Sequence, residues 1–291
     1  MKTFCDLVDS GSFSRAAKMS RVTQSAVSQQ ISKLEKELSM ELIRRSGGLT
    51  VATDTGIAFY NAAKDILVRY ESMLAEIRSA ADEVHGTLRV GTIYSVGFYL
   101  LDSYIREFMQ ANPEVNLHVE YTHWHRINAA VLNNEMDLGI VAFPETHRSI
   151  EIIPFINEEM VLVCAPQHRL AAKDTIDPSE IADEHFVAFN ESIPTRQYID
   201  RVLKGQRISV DIQMEFDNIE LLKRSVEINS GISILPRENV QREVANGRLS
   251  AASFSKGKKW VRELGIIRNR SKAPSPAEKL FVRLLRTKPT Q

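Results

Sequence analysis

TQSAVSQQISKLE, residues 23–35, has the length of a surface helix but an unusual outer face. Apolar side chains recur at intervals of four, three and four residues, at Val27, Ile31, Leu34 and Leu38. This spacing predicts one apolar helix face. Ser and Gln crowd the other side, although Glu, Lys and Ala are the better fillers of a solvent-facing helix. We therefore expect a helix whose outer face serves hydrogen bonding, with Thr23 as its N-cap.

A second helix is predicted just before it, in GSFSRAAKMS (11–20), with Ser14 as N-cap and a tight turn after it. Two helices joined this way have helix-turn-helix spacing, and the second one enters the DNA major groove. Gln can pair with adenine and Ser with several bases, while Lys and Arg bind phosphates. The predicted DNA-binding residues are Ser14, Thr23, Gln24, Ser25, Ser28, Gln29, Ser32, Lys33, Lys36, Arg44 and Arg45.

The stretch RRSGGLTVAT (44–53) predicts a small hairpin, and residues 55 to about 84 predict a long helix. Apolar side chains follow it at alternating intervals of three and four residues, at Tyr60, Ala63, Leu67, Tyr70, Leu74, Ile77, Ala81 and Val84. Such a seam favours pairing with a second copy of the chain. The predicted dimer contacts are Tyr60, Leu67, Tyr70, Leu74 and Ile77. The alternative is a helix that packs on the core of its own domain.

From residue 87 onward, short strands alternate with helices. Examples of the strands are TLRVGTI, VNLHVEY and EMVLVCAP, and the helices include 99–111, 124–134, 195–204 and 217–229. Alternation of this kind predicts an α/β domain with largely parallel sheets. Two groups of strands indicate two lobes, with lobe I at 87–160 and 266–291 and lobe II at 161–265.

The charge of the chain is zero overall but unevenly distributed. Residues 87–247 hold 24 acidic and 14 basic side chains, whereas residues 248–291 hold 12 basic and 2 acidic ones. A nucleic-acid binder is usually basic, but a small DNA-binding module on a larger acidic body needs only local positive charge. The basic C-terminal segment predicts a solvated face, with a second nucleic-acid patch as the alternative.

Several other classes of protein find no support in the motifs. Two distant cysteines, Cys5 and Cys164, indicate reduced thiols in the cytoplasm, and no apolar run predicts a membrane span. The histidines at 118, 123 and 125 lack companions at metal-ligand spacing. Neither GxSxG, GxGxxG nor a phosphate-binding loop is present. We therefore expect no enzyme activity, cofactor or metal. The competing hypothesis is an α/β solute-binding or enzymatic protein with merely structural N-terminal helices, and specific binding to a promoter duplex discriminates the two.

The segment GSFSRAAKMSRVTQSAVSQQISKLEKEL (11–38) resembles the winged helix-turn-helix of LysR-type transcriptional regulators. The resemblance extends over the whole chain, and DLGIVAFP and GISILP are typical of the family. It implies a multidomain α+β chain: a winged helix-turn-helix at 1–54, a linker helix at 55–86, and at 87–291 a two-lobed α/β effector domain similar to periplasmic binding proteins. It also implies a homodimer or homotetramer on a dyad-symmetric promoter in double-stranded DNA, with RNA polymerase as a further candidate partner.

Three departures from the family pattern affect the wing and the first helix. Leu38-Ser39, Leu42-Ile43 and Ala52-Thr53 stand where the family has Leu-Gly, Leu-Phe and Leu-Thr, and these changes concern the wing more than the recognition helix. The start MKTFCDLV is shorter than family members usually have, so we expect a truncated or misassigned start and weaker packing of the first helix.

A ligand site is expected in the crevice at the carboxyl ends of the strands in a two-lobed α/β domain. Three segments should meet there and supply Tyr94, Ser95, Thr122, His123, Asn190, Thr195 and Arg196. Helix N-termini and an arginine suit anions, so a small carboxylate or oxyanion is the predicted effector. The alternative is that Ser95 and Thr195 only cap helices and that Arg196 pairs with Asp200.

Overall fold

The computed structural model describes residues 1–46, 49–79, 84–255 and 260–287. The chain divides into two compact units. The first comprises Met1–Val84 with Ser271–Pro276, and the second comprises His85–Arg270 with Ala277–Gln291.

The first unit is a helix-turn-helix followed by a hairpin and a long helix. Its elements are α1 (Lys2–Ser10), α2 (Phe13–Ser20), α3 (Gln24–Leu38), β1 (Ile43–Ser46), β2 (Leu49–Ala52) and α4 (Asp54–Ser79). One apolar core holds the helices together and contains the buried side chains of Phe4, Leu7, Ala16, Ala17, Val27, Ile31 and Leu42. Helix α1 therefore packs fully into this core, contrary to the weaker packing expected from the short start.

Two details of the helices differ from the sequence predictions. Leu38 is exposed, because α3 ends there and Ser39 adopts a left-handed conformation with φ 53° that turns the chain away. Ser14 is not an N-cap, because α2 begins at Phe13, two residues earlier than predicted, with Ser12 in the cap position. The Ser14 hydroxyl instead donates to Gln24 Oε1 at 2.9 Å and links the two helices.

The second unit has two lobes. Lobe I contains β3 (Gly86–Thr92), α5 (Tyr94–Gly97), α6 (Asp102–Ala111), β4 (Val115–Tyr121), α7 (Trp124–Leu132), β5 (Leu138–Ala142) and α11 (Pro276–Thr287). Lobe II contains β7 (Thr175–Ile176), β8 (His185–Phe189), α8 (Pro194–Gly205), β9 (Asp211–Phe216), α9 (Ile219–Glu227), β10 (Ser233–Pro236), α10 (Gln241–Ala245) and β11 (Ser250–Phe254), with 3₁₀ turns at Pro178–Ile181 and Arg237–Asn239. Two long strands, β6 (Ile150–Cys164) and β12 (Val261–Asn269), belong partly to each lobe.

The main sheet has the strand order β4-β3-β5-β12-β6-β11-β7, with β10 also paired to β6. β3 runs parallel to β4 and β5, but β12 is antiparallel to both β5 and β6. The prediction of largely parallel sheets was therefore wrong for the strands that join the lobes. The chain passes from lobe I to lobe II along β6 and returns along β12, so these two strands run in opposite directions.

Candidate functional site

The outer face of α3 is polar and open. The Thr23 hydroxyl accepts the N–H of Ala26 at 3.2 Å, so the predicted cap is present. Val27 and Ile31 are buried on the inner side. The exposed residues among the predicted DNA-binding set on α2 and α3 are Ser14, Thr23, Gln24, Ser25, Ser28, Gln29, Ser32, Lys33 and Lys36. The face therefore offers amide and hydroxyl groups flanked by two ammonium groups.

The hairpin after α3 is fixed by a residue that the sequence did not single out. One carboxylate oxygen of Glu35 accepts the N–H groups of Leu42 at 2.8 Å and Ile43 at 3.1 Å. This ties the end of α3 to the first strand of the antiparallel pair β1 and β2. A Glu in a helix is ordinary, so no sequence signal could have pointed to this role. Arg44 is exposed on β1, while the side chain of Arg45 and the pair at 47–48 lie outside the described residues.

The first turns of helix α4 are partly buried, whereas its middle is more exposed. Ala63 is buried, and Tyr60 packs on the core of its own domain and donates its hydroxyl to Asp9, which Lys64 also contacts at 2.8 Å. The start of the predicted seam thus fits the alternative of packing within one chain. Leu67 is half-buried, whereas Tyr70 is 55% exposed. The side chains of Leu74 and Ile77, and residues 80–83, lie outside the described part.

Within the second unit, a cavity lies between the lobes. Five of the seven predicted effector residues line it: Tyr94, Ser95, Thr122, His123 and Thr195. Its other walls are mostly apolar and come from both lobes, at Ile93, Ala142, Phe189, Ile193 and Ile219. In the described part of the chain, the Thr122 and Thr195 hydroxyls have no protein hydrogen-bond partner. They are therefore available to a ligand.

The remaining two predicted residues lie elsewhere. Asn190 lines a wider neighbouring cleft, where its side-chain oxygen accepts the N–H of Ser192 at 3.1 Å. Arg196 is 4% exposed and does not line the cavity. Its guanidinium donates to both carboxylate oxygens of Asp200 at 2.9 Å, to the Phe189 carbonyl at 2.7 Å, and to Glu215. The predicted free cation is thus already paired, because its position on the first turn of α8 directs it to carboxylates of its own lobe.

The cation that does line the cavity is Arg262, which the sequence did not reveal. Arg262 is 1% exposed and lies opposite Glu158 where β12 pairs with β6. Its Nε donates to Glu158 at 2.7 Å, and its Nη1 donates to the Ser95 hydroxyl oxygen at 3.0 Å. Because Ser95 Oγ accepts this bond, its own hydrogen remains to be donated elsewhere, and Ser95 lines the cavity.

The mouth of the cavity is bridged between the lobes. The Trp124 indole donates to the Ser192 carbonyl at 3.1 Å, and the His123 imidazole lies 3.9 Å from the Asp217 carboxylate. His123 and His125 stack with ring centroids 5.8 Å apart. No cluster of three or more His, Cys, Asp or Glu side chains suited to a metal occurs among the described residues.

Two further observations concern reactivity and membranes. Both cysteines are buried thiols, and burial raises the pKa of Cys164 to about 11. Within the described ranges, no helix has the length and apolar character needed to cross a bilayer.

Comparison with known proteins matches both units. Residues 1–57 match the bacterial regulatory helix-turn-helix of the lysR family, and residues 81–289 match the LysR substrate binding domain. The HTH-type transcriptional regulator CysL of Bacillus subtilis is 28% identical over 250 residues, which are 86% of this chain and 84% of CysL.

Solved structures share the fold. A full-length OxyR variant from Pseudomonas aeruginosa, in which Asp replaces one cysteine, superimposes with a TM-score of 0.79 at 22% identity, over 98% of this chain and 91% of OxyR. Full-length CbnR in complex with its target DNA gives a TM-score of 0.65 at 20% identity, over 98% of this chain and 97% of CbnR.

Proposed function

Since the chain belongs to the LysR family of transcriptional regulators, and is thus a DNA-binding regulator with an effector domain, we propose that a small anion is its effector. We further propose that it binds a dyad-symmetric promoter site as a homodimer or homotetramer, where it can meet RNA polymerase. The observation that carries the effector proposal is the convergence of the Ser95, Thr122 and Thr195 hydroxyls on one cavity.

Base recognition is assigned to the polar face of α3. Gln29 is exposed in the middle of that face, and its amide can pair with adenine in the major groove. Lys36 is also exposed, and its ammonium suits a phosphate contact without base preference. Gln29→Ala is expected to weaken operator binding by about 1–3 kcal/mol and binding to random duplex little.

Titration of operator and random duplexes over a range of salt concentrations tests this assignment. Lys36→Ala serves as the matched comparison, because it should weaken binding to both duplexes. It should also lower the slope of the logarithm of the binding constant against the logarithm of salt concentration by about one. Equal losses on the two duplexes for Gln29→Ala would show that Gln29 does not contact a base.

Assembly is assigned to the middle of α4. Tyr70 is 55% exposed, and Ile66 and Met73 beside it are 51% and 43% exposed, at helical intervals of four and three. Exposed apolar side chains at such intervals favour a helix–helix contact between two copies. Tyr70→Glu should therefore dissociate the dimer in sedimentation experiments. Arg69→Glu, which changes the charge one residue away on the same helix, is the control. An unchanged oligomer in both variants would contradict the assignment.

The effector proposal rests on donors and on shape. The Thr122 and Thr195 hydroxyls, which have no partner among the described residues, and the hydrogen of Ser95 can donate to a carboxylate or oxyanion. Arg262 places a buried guanidinium beside Ser95. Glu158 offsets the charge of Arg262, so the hydroxyls, and not a free cation, supply the specificity. The apolar walls suit a short carbon skeleton attached to the anionic group.

Thermal denaturation of the full chain in the presence of small ligands tests the charge requirement. Butyrate and butyramide have nearly the same shape and differ in charge, and sulfate represents inorganic oxyanions. A ligand that binds only the folded state stabilises it in proportion to the logarithm of its concentration above Kd. Butyrate or sulfate should stabilise the wild type and not Thr195→Val. If butyramide stabilises the chain as much as the anions do, the effector is not an anion.

A further inference from the structure

A chain of buried polar groups lies behind the effector cavity, and Asn239 stands at its centre. Asn239 is fully buried at the end of the 3₁₀ turn that follows β10 in lobe II. Its side-chain amide donates to the Ser95 carbonyl of lobe I at 2.7 Å. Its side-chain oxygen accepts from Arg262 Nη2 at 3.3 Å. The Asn239 side chain therefore bonds both to the backbone of Ser95 and to Arg262. The guanidinium of Arg262 in turn donates to the Ser95 hydroxyl.

The guanidinium itself is fixed from the other side. One carboxylate oxygen of Glu158 accepts from Nε of Arg262 at 2.7 Å and lies 2.5 Å from Nη2. The plane of the guanidinium is fixed because its three nitrogens each donate to a different residue: Nε to Glu158, Nη1 to Ser95 and Nη2 to Asn239. Ser95 is consequently fixed at its carbonyl by Asn239 and at its hydroxyl by Arg262.

The backbone of Asn239 connects to a second buried cation. Its carbonyl accepts from Lys223 Nζ at 3.1 Å, and Lys223 is 1% exposed. The same ammonium donates to Glu243 at 2.9 Å and to the Tyr99 hydroxyl, which donates to Glu220. Tyr99 belongs to lobe I and the other groups belong to lobe II, so this cluster also bridges the lobes.

Packing alone does not explain this network. Buried ionic groups can often be replaced by apolar residues of similar volume without loss of stability, and in some proteins they specify one conformation. A buried asparagine needs partners for both its donor and its acceptor, and here they come from different lobes. The arrangement thus defines one relative position of Ser95 and lobe II.

We propose that Asn239 is a positioning residue for effector recognition: it couples the direction of the Ser95 hydroxyl to the contact between the two lobes. This inference rests on the proposed function of the cavity. When Asn239 no longer donates to Ser95, the Ser95 backbone loses its hydrogen bond to lobe II, and the bond from Arg262 alone no longer fixes the orientation of the Ser95 hydroxyl.

Asn239→Asp is the primary variant, because it retains an acceptor for Arg262 and removes the donor to Ser95. Asn239→Leu, with similar volume and no charge, is the second variant, because a buried carboxylate can unfold a lobe. Asn269→Asp is the matched control. Asn269 is also buried and donates to the Leu132 carbonyl at 3.1 Å and to Asn134 at 3.2 Å, both within lobe I.

Hydrogen–deuterium exchange of the full chain without ligand gives the first readout. Loss of one bond worth about 1 kcal/mol should speed exchange about fivefold in peptides covering 93–100, with no change in 1–57. Asn269→Asp should leave 93–100 unchanged. If both Asn239 variants alter only peptides near 233–245, Asn239 serves lobe II alone and the proposal is overturned.

The second readout is the butyrate concentration needed for half-maximal thermal stabilisation. Asn239→Asp and Ser95→Ala should each raise it about fivefold, and the double variant should raise it no further, since both act through one hydroxyl. Additive effects would overturn the coupling to Ser95. Failure of the wild type to respond to any anion refutes the anionic effector, whereas the exchange measurement still decides the role of Asn239.

Discussion

Arg196→Ala is predicted to weaken lobe II without affecting the effector cavity. The guanidinium of Arg196 is almost fully buried and donates to Asp200, Glu215 and the Phe189 carbonyl. Removing one partner of a fully buried ion pair costs about 3–5 kcal/mol. Here the Asp200 and Glu215 side chains are 50% and 36% exposed, so water can solvate them once the arginine is gone. We therefore expect a loss of about 2–3 kcal/mol.

The assay uses the two tryptophans of the chain. Trp260 is buried in the lobe II core and stacks on Phe254 with centroids 4.0 Å apart, so its fluorescence reports the unfolding of that lobe. In a Trp124→Phe background, urea unfolding followed by fluorescence therefore gives a lobe-specific transition. The midpoint should fall at unchanged slope.

Two comparisons make the result decisive. Arg201→Ala removes an exposed arginine from the same helix and should change stability by less than about 0.5 kcal/mol. Arg196→Lys keeps the charge but not the planar guanidinium, so its loss of stability should lie between those of Arg196→Ala and Arg201→Ala. A loss below about 1 kcal/mol for Arg196→Ala would refute the structural role. If Arg196→Ala alone raises the anion concentration needed for half-maximal thermal stabilisation, Arg196 contributes to effector binding.

Three further outcomes follow from single contacts. Thr23→Ala should reduce the stability of the first unit by about 1 kcal/mol, because the hydroxyl no longer accepts the N–H of Ala26, whereas Thr23→Ser keeps the cap. Equal melting temperatures of the two variants, measured by circular dichroism, would contradict this. Glu35→Ala should cost about 1–3 kcal/mol, because two amide donors lose their acceptor, and Glu35→Gln should recover part of it; unchanged amide protection at 42–43 would argue against the contact. Cys164, with a pKa of about 11, should be about 0.1% thiolate at pH 8, so the folded protein should react with maleimide far more slowly than the protein unfolded in urea. The reaction rate of the folded protein should rise about tenfold per pH unit up to pH 10, and equal rates for the folded and unfolded protein would show that the thiol is not buried.

Periodicity predicted the elements that have one clear apolar face. The strand VNLHVEY and the helix from Gln24 to Leu38 lie where the sequence placed them, because each buries one side against a continuous core. The first half of β6 was missed. Pro154 interrupts it and polar residues follow, so its sequence, IEIIPFINE, lacks an alternating pattern. Its strand pairing is imposed by β12, which is more than a hundred residues away in the chain.

The lining of the cavity between the lobes was predictable where backbone topology decides it. Parallel strands end at one edge of a sheet, so Ser95 and Thr122, which follow β3 and β4, were bound to meet. Thr195 also lines the cavity, because α8 begins shortly after the end of β8. Asn190 instead lines the neighbouring cleft, where its side-chain oxygen accepts from the N–H and the hydroxyl of Ser192.

The two arginines show where inference from sequence stops. Arg196 was chosen because it begins a helix beside the crevice, but the direction of its side chain depends on Asp200 one turn later and on Glu215 in another strand. Arg262 begins a strand in a basic segment and gives no local sign of burial. Only the register of β12 against β6 brings it to Glu158 and to Ser95. A cation becomes part of a site through its partners, and for both arginines those partners come from elements that only the tertiary fold brings together.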